Sequence, residues 1–319
     1  MLHKEFYGLG TAINLTVAEP ATEADITAGF QLIQHYEDLL TVNRNESEVM
    51  SINHAAGDHA VGVSPITYLL VKRAVAVAVS AMHLGFNVAI GPLVKLWAIG
   101  FDGANLPKDA DIQERLQLID PDNIELNDER QTVFLTKKGM ELDLGAIAKG
   151  YIADAIKTLW LQRGVKTGII DLGGNILLVG PSTHDDQKWR VGIQSPDEKR
   201  DVPAGVLNTA EKSLVTSGIY ERFLVIDGQE YHHMFDSHTG YPIKNDLASV
   251  TIVSDRSIDG DIWTTQAFYQ GMEKGPALIE AQPGLEAVFV TRNHEVAVTS
   301  GLEDTFRLVD SEYHMISTH

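Results

Sequence analysis

One short stretch concentrates side chains that could move protons. Residues 230–246, EYHHMFDSHTGYPIKND, hold three histidines and two aspartates. A histidine titrates near neutral pH, so one of the three could act as a general base. We expect His232 and His238 to be bystanders, and we expect the chain to turn at Thr239 and Gly240 before it continues as a strand. The alternative is a polar turn whose histidines are merely solvated.

A second stretch, residues 142–154, reads LDLGAIAKGYIAD. We expect a strand to deliver Asp143, a glycine turn to follow, and a helix to start near Ala146. Backbone N–H groups at a helix start attract anions, and Lys149 in the first turn could meet a phosphate. Asp143 could accept a hydrogen bond from a ligand hydroxyl or ring N–H. The alternative is an ordinary strand-to-helix turn with Asp143 as its cap.

A third stretch, residues 259–271, reads DGDIWTTQAFYQG. If it is helical, Asp261 and Thr265 are four residues apart and share one face. A carboxylate and a hydroxyl are oxygen ligands of the kind that Mg²⁺ prefers. The alternative is that Asp259 or Asp261 caps the helix and that Thr265 is an ordinary helical residue.

The elements that must position these stretches alternate between helix and strand. The predicted helices cover residues 25–41, 66–85, 145–164 and 261–275. The predicted strands and hairpins cover residues 8–19, 123–145, 165–180, 247–255 and 285–301. Strands outnumber helices and many are joined as hairpins, which favours an α+β fold over a doubly wound parallel sheet. Neither a Walker A motif nor a GxGxxG sequence occurs, so the usual phosphate cradles are missing.

Three segments that contain glycine could serve either a ligand or the core. Gly91 and Pro92 in GPLVKLWAIGF should force a turn after an extended run, and the Trp and Phe that follow are more often core than pocket lining. Glycines at DLGG (171–174) and VTSG (215–218) allow close backbone approach, for packing or for a ligand.

Composition narrows the classes of function. The chain has 319 residues, no cysteine and a formal net charge of −19. The acidity argues against a nucleic-acid surface, and an anionic substrate would need a local cation such as a divalent metal. The alternative is that the acidity only keeps the protein in solution. Without a signal peptide, a lipobox cysteine or a long apolar run we expect a cytoplasmic protein, with an exported form as the alternative if residues precede Met1.

Taken together, the motifs resemble the ApbE family of FAD:protein FMN transferases. The matching pieces are GLGT, SEVMSIN, IGPLVKLW, LDLGAIAKGY, DLGGN, VTSG, H-x-x-D-x-x-T-G from His233 and D-x-x-x-T from Asp261. They span residues 8 to 271, and a C-terminal hairpin follows. The resemblance implies one α+β domain over residues 1–319, with two closely packed subdomains as the alternative. It also implies mixed and antiparallel sheets, packed helices and an FAD site in a cleft between subdomains.

The resemblance also implies an activity and a set of site residues. Such an enzyme cleaves the pyrophosphate of FAD, attaches FMN to a Ser or Thr hydroxyl of an acceptor protein, and releases AMP. Mg²⁺ would be held by the carbonyl oxygen of Ala146 with Asp261 and Thr265, and His233 would be the base. The expected FAD contacts are Leu9, Asn43, Gly85, Phe86, Asn87, Asp143, Lys149 and Met234.

The sequence departs from the family pattern at two of these positions. Some family members have Tyr where this chain has Asn43, and Asn87 stands where others have Asp. A smaller residue at position 43 would loosen flavin stacking, worth on the order of 1 kcal/mol. Two alternatives therefore stay open: a Mg²⁺-dependent FAD pyrophosphatase that yields FMN and AMP, and a flavin-binding protein without turnover.

Overall fold

The computed structural model describes residues 1–80, 84–198 and 202–317. Over these residues the chain forms seven α-helices and seventeen strands, so the predicted excess of strands is confirmed. The helices are α1 (Glu23–Leu40), α2 (Glu48–His54), α3 (Pro65–Ala78), α4 (Gly91–Trp97), α5 (Asp109–Leu116), α6 (Ala148–Gln162) and α7 (Ser257–Glu280). The strands are β1 (Leu2–Gly8), β2 (Thr11–Val17), β3 (Val61–Gly62), β4 (Ile124–Asn127), β5 (Thr132–Leu135), β6 (Gly168–Leu172), β7 (Asn175–Val179), β8 (Trp189–Gln194), β9 (Pro203–Thr209), β10 (Ser213–Gly218), β11 (Phe223–Ile226), β12 (Gln229–His232), β13 (Leu247–Ser254), β14 (Glu286–Thr291), β15 (Glu295–Val298), β16 (Phe306–Leu308) and β17 (His314–Met315).

The chain forms two compact units. The first unit contains Met1–Tyr36, Lys149–Gly218 and Asn245–His319, and the second contains Glu37–Ala148 and Ile219–Lys244.

A mixed sheet is the centre of the first unit. Its strand order is β1-β2-β6-β7-β10-β13-β14-β15-β17, and its neighbours are antiparallel except β15 and β17. Successive residues of a strand point to opposite faces. Val215 accordingly contacts α7 at Gly260, whereas Leu214 joins a cluster with Trp189 and Leu207 of the small sheet β16-β9-β8. Because both faces are covered, every residue of β13 is buried.

Helices α1 and α6 form a second layer of the first unit. Ile26 and Ile33 of α1 are buried at helical spacing, as the apolar pattern of residues 25–41 predicts. The indole N–H of Trp160 on α6 donates to the carbonyl oxygen of Asp25 on α1 at 2.9 Å. Gly164, with φ of +85°, follows the end of α6, which confirms the predicted stop.

Helix α7 is longer than the predicted helix at residues 261–275. It starts at Ser257, continues to Glu280 and breaks at Gly271, which has φ of 65° and ψ of −171°. A glycine tolerates this left-handed backbone where another residue would be strained. The predicted hairpins of β4 with β5 and of β14 with β15 are confirmed. The two strands predicted at residues 165–180 are also present, as the antiparallel pair β6 and β7. Helix α3 confirms that a helix starts near residue 66, but it ends at Ala78, before the predicted end at residue 85. Residues 81–83 lie outside the described residues.

Three local predictions are wrong. Asp143 does not follow a strand: residues 141–144 are irregular, because the Asn53 side chain takes the place of a neighbouring strand and pairs with both backbone groups of Leu142. Gly91 and Pro92 open helix α4, where the missing proline N–H costs nothing. After Gly240 the chain makes only a single bridge, between Phe235 and Pro242, before β13 begins.

A tryptophan anchors the second unit. Trp97 of α4 is fully buried in a cluster with Leu93, Ile112 and Phe235. Its indole N–H donates to the carbonyl oxygen of Gly240 at 3.0 Å. The stretch at residues 230–246 is therefore fixed to the helices of this unit, and Trp97 belongs to the core.

Candidate active site

The carboxylate of Asp261 in the first unit is buried and held at both oxygens. The Gly150 N–H donates to Oδ2 at 2.6 Å, and the Asn175 side-chain amide donates to Oδ1 at 3.1 Å. Burial raises the pKa of Asp261 to about 6, although the charge of Lys149 and these hydrogen bonds act in the opposite direction. An ionised carboxylate in such surroundings is costly, and a bound cation would offset that cost.

Thr265 lies one helical turn after Asp261 on α7. Its hydroxyl donates weakly, at 3.4 Å, to the Asp261 carbonyl oxygen. The cap of α7 is a different residue: Asp154 of α6 accepts hydrogen bonds from the backbone N–H groups of Ser257 and Ile258 at 2.8 and 3.1 Å. Because the Asp261 carboxylate bonds to α6 and β7, Asp261 is not the cap of its own helix.

The start of α6 lies against the start of α7. Lys149 is the second residue of α6, which confirms its predicted place in the first turn. A Cβ atom on Gly150 would lie only 2.3 Å from the carbonyl oxygen of Ser257. Only glycine fits there, and this close approach brings Lys149 and the Gly150 N–H to Asp261.

Leu9 occupies the tight turn between β1 and β2. It has φ of +53° and is followed by Gly10 with φ of +71°, within a turn closed by the pair Gly8 and Thr11. Such turns favour Asn-Gly, and the left-handed conformation costs leucine roughly 1–2 kcal/mol. The opening strand predicted at residues 8–19 therefore starts only at Thr11. Strained backbone of this kind is often found at ligand sites.

Asp143 of the second unit lies in an irregular segment that other groups hold in place. Its backbone N–H donates to the Val88 carbonyl oxygen at 2.9 Å, and its side chain accepts from the Gly145 N–H at 2.8 Å. Burial raises the pKa of Asp143, against the effects of the Gly145 hydrogen bond and the Arg222 charge. Asp143 therefore caps the turn at Gly145, although no strand precedes it, and the segment leads to Ala146, which is exposed.

Removing the side-chain amide that holds this segment should destabilise the protein. Asn53→Ala leaves the buried N–H of Leu142 unpaired, so we expect the free energy of unfolding to fall by about 2 kcal/mol. Urea titration followed by circular dichroism measures it. Asn105→Ala is the control, because Asn105 also bonds to backbone carbonyls but is exposed. Equal losses in both variants would contradict a special role for Asn53.

Asn87 bonds to the stretch at residues 230–246 and to another segment of the second unit. Its side-chain amide donates to the Ile119 carbonyl oxygen at 2.8 Å and to the Ser237 hydroxyl at 3.3 Å, and it accepts from the Ala89 N–H. Of its predicted neighbours, Gly85 has φ of +79°, and Phe86 is buried in the core.

His233 is oriented by the backbone of Arg222. The backbone N–H of His233 and its ring Nδ1 both lie near the carbonyl oxygen of Arg222, at 3.2 and 3.1 Å. A carbonyl only accepts, so this contact places the ring proton on Nδ1 and makes Nε2 the basic nitrogen. The buried ring of His232 instead bonds to the Ile243 carbonyl oxygen and to the N–H of Met234. His232 therefore fixes the backbone at Met234, whereas His233 has the geometry of a base.

Comparisons with known proteins identify the family of the chain. The model of the ApbE family matches residues 9–289. The chain belongs to the ApbE family. A protein of Klebsiella pneumoniae named FAD:protein FMN transferase is 46% identical, over 92% of this chain and 90% of the relative. One of the same name from Treponema pallidum is 36% identical, over 96% and 88%.

Solved structures agree with the ApbE fold. The ApbE protein of Thermotoga maritima has a TM-score of 0.86 at 25% identity and covers 96% of this chain and 99% of its own. The flavin transferase ApbE of Vibrio cholerae has a TM-score of 0.82 at 24% identity and covers 95% and 98%. The predicted α+β fold of ApbE type is confirmed.

Each unit of this ApbE protein brings some of the predicted residues together. The first unit gathers Lys149, Asp261 and Thr265, and the second gathers Asn87, His233 and Met234 in one set of hydrogen-bonded segments. Within the described residues no hydrogen bond connects Leu9 or Asn43 to these groups; Asn43 is exposed in a loop, with its N–H bonded to the Thr41 hydroxyl.

Sequence reasoning missed three residues that contact the candidate site. Asn175 and Ser257 bond to each other and to the surroundings of Asp261. Arg222 holds His233 through its carbonyl, acts electrostatically on Asp143, and places its guanidinium 5.5 Å from the Phe101 ring centre. In the sequence, Asn175 directly follows the glycines of DLGG, whereas Ser257 and Arg222 belong to none of the motifs that predict the site.

The donor atoms limit what kind of metal site this ApbE protein could have. In the part of the chain that the structure describes, no three His, Cys, Asp or Glu side chains are grouped as metal ligands. A cation would therefore rely on single carboxylates with hydroxyl or carbonyl oxygens, the donors that suit Mg²⁺. Over the same described residues, none of the helices has the length and apolarity to span a membrane.

Proposed function

We propose that this protein is an FAD:protein FMN transferase, which moves the FMN half of FAD onto a hydroxyl of an acceptor protein and releases AMP. The observation that carries this is the 46% identity to the Klebsiella transferase over 92% of the chain. The orientation of His233 supports it, because a transferase needs a base for the acceptor hydroxyl and a binding protein does not. The substrates are FAD and a protein, and we infer that the acceptor residue is Ser or Thr.

The oxygen donors of the first unit fit Mg²⁺. Asp261 is a buried carboxylate whose pKa is raised by burial, against the effect of the Lys149 charge, and Thr265 presents a hydroxyl on the same helix. We infer that these two side chains hold the ion together with the carbonyl oxygen of Ala146. Mg²⁺ bound there would neutralise charge on the pyrophosphate and on the departing AMP.

The remaining residues bind and orient FAD. Lys149, in the first turn of α6, carries a positive charge at a helix start, where a phosphate is also favoured by the N–H groups. Asp143 accepts from ring or hydroxyl groups of the flavin nucleotide, while Leu9, Gly85, Phe86, Asn87 and Met234 shape the pocket. Positioning and charge neutralisation matter more here than covalent help, as in other phosphoryl transfers.

His233 starts the chemical step. Its Nε2 accepts the proton of the acceptor hydroxyl, and the oxygen attacks the phosphorus of the FMN half of FAD. A new phosphate ester bond forms, the pyrophosphate bond breaks, and AMP leaves with the electron pair. The Nδ1 proton stays bonded to the Arg222 carbonyl, which keeps the ring in place during proton transfer.

FMN release to water is the second candidate function. Asn43 is exposed in its loop, where some relatives have a tyrosine that can pack on the flavin. If the flavin is held loosely, water can replace the acceptor hydroxyl and the enzyme becomes an FAD pyrophosphatase.

Restoring an aromatic side chain at this position should tighten FAD binding. For Asn43→Tyr we expect a stacking gain of about 1 kcal/mol, or roughly fivefold in the dissociation constant. Quenching of flavin fluorescence measures this constant, with Asn43→Leu as the non-aromatic control. An unchanged affinity for both variants would show that residue 43 does not face the flavin.

Covalent labelling tests the proposal directly. The protein is incubated with FAD, Mg²⁺ and a purified flavin-acceptor domain, and the domain is examined by mass spectrometry and by fluorescence after denaturing electrophoresis. The proposal requires FMN on a Ser or Thr of the domain. A domain that stays unmodified while FAD is consumed would favour the pyrophosphatase.

A further inference from the structure

A buried row of polar groups leads to the Asp261 carboxylate in the first unit. The Ser257 hydroxyl donates to the side-chain oxygen of Asn175 at 2.6 Å, and the Asn175 amide nitrogen donates to Asp261 Oδ1 at 3.1 Å. Ser257 and Asn175 are both completely buried. We infer that Asn175 is a positioning residue for the Asp261 carboxylate and that Ser257 holds the Asn175 amide in place through its oxygen. This inference rests on the proposed role of Asp261 as a Mg²⁺ ligand.

The carboxylate of Asp261 settles which way the amide of Asn175 points. An asparagine side chain has one accepting and one donating end, and only its partners decide the orientation. Because an ionised carboxylate only accepts, the nitrogen faces Asp261, and the oxygen then accepts from the Ser257 hydroxyl. With the amide reversed, its oxygen would lie against a carboxylate oxygen, which repels it.

Two donors on two oxygens fix the plane of the Asp261 carboxylate. Gly150 of α6 holds Oδ2 and Asn175 of β7 holds Oδ1, so rotation about the last side-chain bond is blocked. A carboxylate offers about four lone-pair sites, which leaves acceptor capacity on both oxygens for a cation. Such groups, which orient a metal ligand without touching the metal, typically change metal affinity by about 10–100-fold when removed.

The row is also tied to the scaffold. The Ser257 N–H donates to Asp154 on α6, so the residue that holds the Asn175 amide in place is held by the same helix that presents Gly150. A purely structural role for Asn175, closing the corner between β6 and β7, would not require its amide to face a titratable carboxylate. The two roles differ in what happens to Mg²⁺ affinity.

Calorimetric titration of Mg²⁺ into the FAD-free protein tests the inference. For Asn175→Leu we expect the dissociation constant to rise about 10–100-fold, and for Ser257→Ala about tenfold. Ser213→Ala is the matched control, since Ser213 is equally buried and bonds only to the Ile176 carbonyl oxygen on the neighbouring strand. It should leave Mg²⁺ affinity unchanged.

Two further comparisons distinguish a positioning role of Asn175 from a purely structural role. In the Asn175→Leu background, Ser257→Ala should add no further loss, because both act through one hydrogen-bonded row. At saturating Mg²⁺ the KM for FAD should stay near the wild-type value. Unchanged Mg²⁺ affinity in both variants, with melting temperatures lowered, would overturn the inference and leave Asn175 structural. If Asn175→Leu does not fold, the Mg²⁺ affinity of Ser257→Ala alone decides whether the inference holds.

A reference variant distinguishes failure of the inference from failure of the proposed function. Asp261→Asn should abolish Mg²⁺ binding. If it binds Mg²⁺ as well as the wild type, the metal site itself is wrong and the inference falls with it. If Asp261→Asn loses Mg²⁺ while Asn175→Leu keeps it, only the inference is wrong.

Discussion

Replacing Asp261 by asparagine should lower Mg²⁺-dependent FMN transfer on the order of 1,000-fold, since a metal contributes several kcal/mol of charge stabilisation. The substitution keeps the shape of the side chain and removes its negative charge. The remaining proposed donors, Thr265 and the Ala146 carbonyl, are neutral, so the ion would lose its one anionic protein ligand. Initial rates of AMP release at several Mg²⁺ concentrations, with saturating FAD, measure the effect.

Asp259→Asn is the matched control for this experiment. It makes the same chemical change on the same helix, two residues earlier, and no ligand role is proposed for it. We expect it to retain most of the activity. If Asp261→Asn also remained active at saturating FAD, or if added Mg²⁺ rescued it completely, the assignment of Asp261 as the anionic ligand would be contradicted.

Replacing His233 by alanine should leave FAD binding nearly unchanged and lower transfer by about 10²–10⁴-fold, the usual contribution of a general base. The reason is that Nε2 is oriented to take a proton, whereas the contact of Nδ1 with the Arg222 carbonyl only holds the ring. Flavin fluorescence titration measures binding, and the rate of labelling of an acceptor domain measures transfer.

His238→Ala controls for the loss of a histidine from the same stretch. His238 is exposed, and its backbone N–H, which the substitution keeps, bonds to Asp236. Transfer should therefore persist in this variant. A collapse of FAD affinity in His233→Ala would show that His233 is a binding or structural residue rather than the base.

Regular elements were predictable because their patterns are local. The apolar spacing in α1, the glycine that ends α6 and the hairpin of β14 with β15 all follow from short-range rules. Asp143 shows the limit of this reasoning: ELDLG looks like a strand, but its backbone partner is the side chain of Asn53, about 90 residues away in the chain. Only the tertiary structure supplies such a partner.

The candidate site was predictable in its residue types but not in its supporting contacts. The motifs identified Asp261, Thr265 and Lys149, and the structure places Lys149 and Asp261 at the joined starts of α6 and α7. Asn175 could not be found in this way, because a buried amide next to two glycines reads as a turn residue. Its role depends on Ser257, 82 positions later in the chain.

The proposed site explains how so acidic a chain could bind an anionic substrate. A net charge of −19 disfavours a pyrophosphate ligand, and the proposed site answers this with Lys149 and a divalent ion at Asp261. The protein therefore needs no broad basic surface to bind FAD, which agrees with the absence of clustered basic motifs in the sequence.

Chromatographic measurement of AMP and FMN released from FAD, with Mg²⁺ and with or without an acceptor domain, tests the central claim most directly. We predict AMP release that depends on the acceptor, with the flavin recovered on the acceptor and little free FMN. Equal release of AMP and free FMN without acceptor would identify a pyrophosphatase and contradict the transferase. No AMP release under either condition would contradict the catalytic role of His233 and Asp261 altogether.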